Sequence, residues 1–357
     1  MNSKITSKTI PTSGYLPNKY TKIINQPWVY YLVIITVTLL SYFNSINHEY
    51  NLDDDYIINA LPKTEEGISG IFSVFNKPYN FTDYRPVVMF TYALEQLIFG
   101  LNPHISHIIN ILLFILLCVS IYRILSILPV KNIQRISFAA TLIFCVHTSH
   151  TEVVCSIKNR DSILSMLFGI WSLYYFCKAS ADLKPSYYII GFMLLLTGIL
   201  SKLDAIVFLF LIPLTLIIFF DLKYKKLIGI CLGLLLIVIF RGMLADKVAI
   251  QLPNEVGVSF TENPLSADPS ITNKISQGIQ SASYYLKFML FPKGYYYYFG
   301  YDMIPLKSLF SVDILFLLFL HLSIFILGLY LFKRNKLLTY SILFFYFSLS
   351  YCLNLFV

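Results

Sequence analysis

The stretch "WVYYLVIITVTLLSYFNSI" (Trp28–Ile46) decides the class of fold. It carries no charged side chain, and about 20 apolar residues are what a helix needs to cross a bilayer core. Similar runs recur along the 357 residues, of which 57% are hydrophobic and 13% charged. Soluble domains carry about 25% charged residues. The composition therefore excludes a water-soluble globule and predicts an all-α polytopic membrane protein.

Apolar runs predict nine membrane-spanning helices. The candidate spans are Trp28–Ile46, Ile105–Leu125, Ile136–Val146, Ser162–Cys177, Tyr187–Leu200, Ala205–Phe220, Leu227–Phe240, Val312–Phe332 and Leu337–Val357. One further apolar segment, Ala282–Phe291, has ten residues with Lys287 inside. Because ten helical residues rise only about 15 Å, half the hydrocarbon thickness, we expect this segment to be interfacial or re-entrant.

The charged residues between the spans predict the orientation. With nine spans, the segments on the side of the N-terminus carry 15 basic and two acidic residues, and the opposite side carries 12 basic and 17 acidic residues. Basic loops stay in the cytoplasm. Residues 1–27 are then a cytoplasmic tail and residues 28–357 the membrane domain, with two larger extracytoplasmic loops at 47–104 and 241–311. The net charge of +8 comes from basic residues in these loops and is explained by the topology. No nucleic-acid partner is therefore expected.

The first large loop contains "NLDDDYIINA" (Asn51–Ala60), with three consecutive carboxylates at the start of a predicted short helix. Carboxylates at a helix N-terminus are stabilised by the helix dipole and cap free N–H groups. Three exceed what capping needs, and crowding raises the pKa of at least one. A raised pKa suits a general base that takes a proton from an alcohol, so both interpretations stay open.

The next motif, "TDYRPVVMFTYALEQLIFG" (Thr82–Gly100), predicts a helix that starts at Pro86, since proline is favoured in the first turn. The pattern that follows is typical of an amphipathic helix at the membrane surface. Arg85 either anchors this helix or faces the aspartates or a phosphate.

The loop "HTSHTEVVCSIKNRD" (His147–Asp161) contains His147, His150 and Glu152, which imitate a metal site. The zinc helix uses H-E-x-x-H instead, so no metal ligand is predicted, although a divalent metal stays an open alternative. The six cysteines have no metal spacing and no C-x-x-C pair, and we expect most of them to be buried small side chains.

Basic residues stand just outside several predicted spans. Lys158 and Arg160 precede one span, and Lys202 lies in "SKLD" (Ser201–Asp204). Such residues either anchor the interface or bind the phosphate of a lipid head group. The tyrosine-rich "YYLKFMLFPKGYYYYFGYDMIPL" (Tyr284–Leu306) likewise fits interfacial anchoring or a sugar site.

Six motifs, in this order, resemble the C-type (GT-C fold) membrane glycosyltransferases. The branch is that of the protein O-mannosyltransferases that carry tetratricopeptide repeats, and bacterial members are most similar. The resemblance runs from about residue 50 to 306. Its pieces are "LDDDYII", "YRPVVMFTYALEQLIFGLNPHISHIINILLF", "VHTSHTEVVCSIKNRDSILS", "LSKLDA", "ENPLS" and "YYLKFMLFPKGYYYYFGYDMIPL".

The resemblance implies a GT-C-like bundle that transfers a sugar from a polyprenyl-phosphate lipid donor to a hydroxyl of an acceptor protein or glycolipid. The active face would be extracytoplasmic, in a bacterial inner membrane, and no cofactor is implied. The family's acidic pair, which supplies the general base, falls on Asp53 and Asp54. The positions that would bind donor phosphate or substrate are Arg85, His147, His150, Glu152, Lys158, Arg160, Asp161 and Lys202.

Departures from the family pattern favour a catalytically inactive scaffold, one of two alternatives to the transferase. Thr148 stands where the family has proline, Asp204 comes one place late after Ser-Lys, and Lys293 and Tyr298 replace a histidine and an aspartate. The repeats and the late spans are absent, which predicts that the C-terminal part of the family architecture is missing. A transporter or lipid flippase, and a catalytically inactive scaffold, are the alternatives.

Overall fold

A computed structural model describes residues 26–51, 53–61, 67–79, 83–220, 222–249, 263, 265, 268–294 and 303–353. Every regular element within those ranges is helical. The α-helices are α1 Pro27–Tyr42, α2 Asp54–Ala60, α3 Gly67–Ser73, α4 Pro86–Phe99, α5 Pro103–Ser126, α6 Ile133–Val146, α7 His150–Cys155, α8 Arg160–Asp182, α9 Pro185–Ser201, α10 Phe208–Phe219, α11 Tyr224–Ala249, α12 Ile271–Leu290, α13 Val312–Tyr330 and α14 Lys336–Leu349. Short 3₁₀ segments lie at Phe43–Asn47, Val74–Asn76, Leu203–Val207 and Leu331–Lys333.

The prediction of an integral, multi-pass membrane protein is confirmed. Among the described residues, five helical segments are long and apolar enough to cross a membrane. They are α1 with the 3₁₀ turn after it, α5, α8, α11, and α13 with the 3₁₀ turn after it. The other four predicted spans correspond to α6, α9, α10 and α14, which are shorter apolar helices. The count of nine spans and the two outer loops therefore stay predictions.

Helix α12 is twice as long as the ten-residue segment predicted from Ala282–Phe291. It spans 20 residues and begins after Ser270, whose Oγ accepts the N–H of Asn273. Its first half was missed because it is mostly polar, and polar residues such as Ser276 and Gln280 are buried on the face that packs against the protein. An apolar-run criterion finds only the end of such an amphipathic helix.

The core is built around α5 and α8, which pack against each other. Helices α1 and α6 pack on α5, while α9 and α10 pack on α8. Large side chains such as Phe114 on α5 and Phe176 on α8 are fully buried there. A smaller cluster that includes Ile57, Val88 and Ile157 joins α2 and α4 to the loop before α8. This second cluster supports the polar residues described below.

Helices α8 and α10 approach closely at Gly169. A Cβ atom at this position would overlap the aromatic ring of Phe208, which is itself fully buried. The missing side chain is therefore what allows the two helices to meet.

We predict that Gly169→Ala destabilises the protein, because Phe208 has no room to move. Overpacking of this kind costs about 1–3 kcal/mol, and thermal unfolding in detergent measures it. The matched control is Gly229→Ala on α11, where a Cβ meets nothing within 4 Å. That change should be neutral or stabilising, since alanine is favoured over glycine in a helix by up to about 1 kcal/mol. Equal effects of the two substitutions would contradict the α8–α10 packing.

Candidate functional site

The carboxylate of Asp54 joins two distant segments of the chain. Helix α2 begins at Asp54, as the sequence predicts, and this side chain is only 3% exposed. Its Oδ2 accepts the N–H of Asn51 at 2.9 Å, and its Oδ1 accepts the N–H of Lys158 at 2.9 Å. Burial raises the pKa of Asp54, although these two hydrogen bonds oppose the shift. Asp54 therefore ties the start of α2 to the loop that leads into α8.

Asp53 lies beside this anchor and faces solvent. Its Oδ2 forms an ion pair with Nζ of Lys158, 105 positions later in the chain. The two side chains are 37% and 33% exposed. The third aspartate, Asp55, is exposed. The three adjacent carboxylates thus differ: Asp54 is buried, Asp53 is paired at the surface, and Asp55 lies in solvent.

A second group of charges forms around Arg85, which directly precedes Pro86 at the first position of α4. The Arg85 guanidinium donates to the carboxylates of both Asp83 and Asp161. Asp161 is fully buried, and its Oδ1 lies 3.7 Å from Nζ of Lys202. Burial opposes the charge on Arg85, but Asp161 and Asp83 outweigh it and raise the pKa of the guanidinium.

Lys202 is the exposed edge of this second group. Its Nζ donates to Oγ of Ser162 at 2.8 Å and lies 3.3 Å from Oδ2 of Asp204. Lys202 is 22% exposed and Asp204 is 48% exposed. The contact at Asp204 is therefore the one most open to replacement by a ligand.

Tyr79 lies between the two groups, and sequence reasoning missed it. Its ring packs under Arg85, with Cζ of the guanidinium 4.7 Å from the ring centre. The pKa of Tyr79 is raised, first by burial and then by the charges of Asp161 and, more weakly, Asp53. Its hydroxyl is buried and finds no hydrogen-bond partner within the described part of the chain. We call the set Asp53, Tyr79, Arg85, Lys158, Asp161 and Lys202 the polar cluster.

Arg160, in contrast, is turned into the protein. It is fully buried, and Nη1 lies 2.7 Å from Oε2 of Glu95 on α4. Its Nε donates to Oδ1 of Asn110 at 2.8 Å, and its Cζ lies 4.2 Å from the ring centre of Tyr92. The structure thus places Arg160 in an internal ion pair instead of on the open side of the polar cluster.

The carbonyls before Arg160 are fixed by the same helices. Nδ2 of Asn110 donates to the carbonyl oxygen of Ser156 at 3.1 Å, and the Tyr92 hydroxyl donates to that of Ile157 at 2.5 Å. These contacts hold the backbone of Ser156–Asp161 so that Lys158 and Asp161 can face the polar cluster. Glu95 had a sequence signal, since it is the single charged side chain within apolar α4.

The two histidines are held by local contacts. The Nδ1 atom of His147 accepts from Ser149, and its Nε2–H donates to the carbonyl oxygen of Met289 at 3.2 Å. The Nδ1–H of His150 donates to the carbonyl oxygen of Phe144 at 2.8 Å, and burial lowers the pKa of His150 to about 4. Glu152 is exposed. No three His, Cys, Asp or Glu side chains converge on a metal-sized site among the described residues.

Two motifs are covered only in part. Of "ENPLS", the structure describes Asn263 and Leu265, and the tyrosines Tyr295–Tyr298 lie outside the described residues. Lys293, before those tyrosines, is exposed.

The polar cluster brings together residues from the ends of α2, α4, α8 and α9, and curated proteins that are similar to part of the chain are named protein O-mannosyl-transferases. The chain is 28% identical to protein O-mannosyl-transferase TMTC1 of Homo sapiens over 137 residues, 36% of this chain and 15% of that protein. The chain is similar to the protein O-mannosyl-transferases over part of its length. It is also 24% identical to F38B6.6 of Caenorhabditis elegans over 40% of the chain, and 23% identical to Tmtc3 of Drosophila melanogaster over 43%.

This relationship covers part of each molecule. The matched stretches span 15%, 22% and 19% of the lengths of these three relatives. No family model matches the chain, and no solved structure matches it. The relatives' names support a glycosyltransferase at the level of the family.

We predict that Glu95→Gln destabilises the protein strongly, because it leaves Arg160 buried without a counter-charge. Breaking a buried ion pair from one side costs about 3–5 kcal/mol, and thermal unfolding in detergent measures it. Glu152→Gln is the matched control at an exposed glutamate and should be neutral.

The double variant Glu95→Leu/Arg160→Met should recover much of the lost stability, since it removes both charges. If Glu95→Gln were as stable as Glu152→Gln, Arg160 would not depend on Glu95.

Proposed function

We propose that this chain is a membrane glycosyltransferase that moves a sugar, mannose in the first instance, from a polyprenyl-phosphate donor to an acceptor hydroxyl. The acceptor would be a serine or threonine of a protein, or a glycolipid. The reaction would take place on the extracytoplasmic face of a bacterial inner membrane. The observation that carries the proposal is the polar cluster, in which the partly exposed carboxylate of Asp53 pairs with Lys158. The cluster also holds two further cations, Arg85 and Lys202, which both contact Asp161.

Asp53 is assigned as the general base. Both carboxylate oxygens of Asp54 already accept backbone N–H groups, so a substrate hydroxyl would have to displace a structural hydrogen bond there. Asp53 engages Lys158 through Oδ2 and is 37% exposed. The ammonium group of Lys158 orients the Asp53 carboxylate through this ion pair, and a base must be within hydrogen-bond reach of the proton it removes.

The reaction balances as a single inverting displacement. The acceptor oxygen bonds to the anomeric carbon of the sugar while its proton passes to Asp53. The bond from that carbon to the phosphate oxygen breaks, and the polyprenyl phosphate leaves with the electron pair. Cations held in place before the reaction stabilise the charge that develops on this leaving group.

Lys202 is assigned to the leaving phosphate, with Arg85 behind it. Lys202 is partly exposed, and Asp204 is the more exposed of the two carboxylates that it contacts, the other being Asp161. A phosphate that replaces Asp204 at Lys202 keeps the lysine paired. Arg85 is bound on both sides by Asp83 and Asp161, so its role is to hold Asp161 and thereby orient Lys202. Arg160 is assigned to positioning, because its guanidinium is fully buried.

We predict that Asp53→Asn lowers the rate of sugar transfer by about 10²–10⁴-fold, the usual contribution of a general base. The assay follows transfer of labelled mannose from polyprenyl-phosphate mannose to peptide and lipid acceptors in proteoliposomes. Asp55→Asn is the matched control and should keep the wild-type rate, since Asp55 is exposed.

Asp54→Asn should behave differently from Asp53→Asn. In Asp54→Asn, an NH2 group replaces one of the two oxygens that accept backbone N–H groups, and an NH2 group cannot accept. The variant should therefore unfold at a lower temperature and also lose activity. If Asp53→Asn transferred sugar at the wild-type rate, Asp53 would not be the general base. If the wild type bound the donor lipid but transferred no sugar, the inactive scaffold would be favoured.

A further inference from the structure

A stripe of polar residues runs along one side of α12. Ser276, Gln280, Ser283 and Lys287 follow one another at intervals of three or four positions, and this spacing places them on one face of the helix. Helix α12 packs against α13. Each polar group on such a face needs a hydrogen-bond partner when it is buried.

Two residues of this stripe have their partners within the protein. Oγ of Ser276 donates to the carbonyl oxygen of Lys307 at 2.6 Å. Oγ of Ser283 donates to the carbonyl oxygen of Ile279 at 2.8 Å and lies 2.9 Å from Nε2 of His321 on α13. These contacts join α12 to α13 and to the segment that precedes α13.

The other two residues of the stripe are unpaired within the described ranges. Gln280 is only 5% exposed, and its Nε2 atom is buried without a hydrogen-bond partner. Lys287, in the last turn of α12, belongs to none of the ion pairs among the described residues. An unpaired buried amide lowers the stability of the free protein, and a ligand that accepts a hydrogen bond from Gln280 would remove this penalty.

Gln280 and Lys287 both line one cavity, of about 400 Å³, between α12, residues 305–307 and the first turns of α13. Its other wall carries Lys307 and Asp313, whose Nζ and Oδ2 atoms are 2.6 Å apart. These two side chains are 42% and 67% exposed, and an ion pair so exposed contributes little to stability. Lys307 is therefore free to exchange Asp313 for an anion in the cavity.

The groups around the cavity favour a phosphate. The amide nitrogen of Gln280 and the two ammonium groups are hydrogen-bond donors, and two lysines against one aspartate leave one positive charge in excess. Lysine binds phosphate as a point charge, whereas arginine provides the planar fork that matches a carboxylate. The described lining residues include no arginine.

We propose that this cavity binds a phosphate group, with Lys287 and Lys307 against its charge and the Gln280 amide donating to one of its oxygens. We call it the α12–α13 phosphate site. It is separate from the polar cluster, where Lys202 is assigned to the leaving phosphate, and it does not depend on the proposed function. A membrane lipid head group and a soluble phosphate ester both carry such a group, and the test separates these two sources.

The test titrates purified protein in detergent with glycerol 3-phosphate or with phosphatidylglycerol, and follows thermal unfolding. A ligand of the folded state raises the unfolding temperature. The proteins are wild type, Lys287→Gln and, as the matched control, Lys293→Gln, since Lys293 is exposed just after α12 and does not line the cavity. We expect the half-saturating concentration to rise about tenfold or more in Lys287→Gln, which loses a charge-assisted hydrogen bond, and to stay unchanged in Lys293→Gln.

A second variant, Gln280→Met, tests the buried amide. Methionine keeps the length of the side chain and removes the unpaired N–H groups. We expect the ligand-free variant to unfold at the same temperature as ligand-free wild type or at a higher one, and its half-saturating concentration to rise as in Lys287→Gln. A lower unfolding temperature of the ligand-free variant would show that the amide already has a partner in the protein, and would overturn the site.

The two ligands identify the source of the phosphate. A response to glycerol 3-phosphate that depends on Lys287 would assign the site to the phosphate group itself, and a Lys287-dependent response to phosphatidylglycerol alone would assign it to a lipid head group. Equal half-saturating concentrations in wild type, Lys287→Gln and Lys293→Gln would overturn the proposal. So would an equal rise of the unfolding temperature in sodium acetate or sodium chloride at matched ionic strength. None of these readouts uses sugar transfer, so failure of the proposed function would leave them unchanged.

Discussion

The buried ion pair between Arg160 and Glu95 is the interaction on which the candidate site depends. A charge as deep as Arg160 is tolerated only with a partner and with its remaining donors satisfied. Glu95 supplies the counter-charge, Asn110 accepts from Nε, and the ring of Tyr92 lies against the guanidinium. All three come from α4 and α5, so the pair also fixes where the start of α8 lies against these helices.

This constraint explains why neighbouring residues have different roles. In the segment from Lys158 to Asp161, turning Arg160 inward leaves Lys158 and Asp161 to face the polar cluster. Lys158 then reaches Asp53 with its side chain and Asp54 with its backbone N–H. Asp161 receives Arg85 and Lys202. One buried arginine thereby organises carboxylates and cations from segments more than 100 residues apart.

Local features of the fold could be predicted from the sequence, but long-range pairing could not. The starts of α2 at Asp54 and α4 at Pro86 follow from the preference for acidic residues and proline in the first helical turn, and the long apolar helices follow from hydropathy. The resemblance to O-mannosyltransferases singled out most members of the polar cluster, and the curated relatives agree with the resemblance at the level of the family. Sequence alone could not distinguish Arg160 from Lys158, because both are basic residues before a span and only the fold shows which one is buried. Tyr79 and Glu95 were missed because their partners are remote, and the polar half of α12 was missed because it lacks an apolar run.

Thiol cross-linking between the two segments that carry Asp53 and Lys158 tests the polar cluster directly. In a background with the six native cysteines replaced, Asp53→Cys/Lys158→Cys should be joined rapidly by a short bifunctional thiol reagent. Asp55→Cys/Lys158→Cys, whose first position faces solvent, should react far more slowly. Rapid cross-linking of the first pair alone would agree with a carboxylate and a lysine brought face to face. No cross-link in the first pair, or equal rates in the two pairs, would contradict the polar cluster.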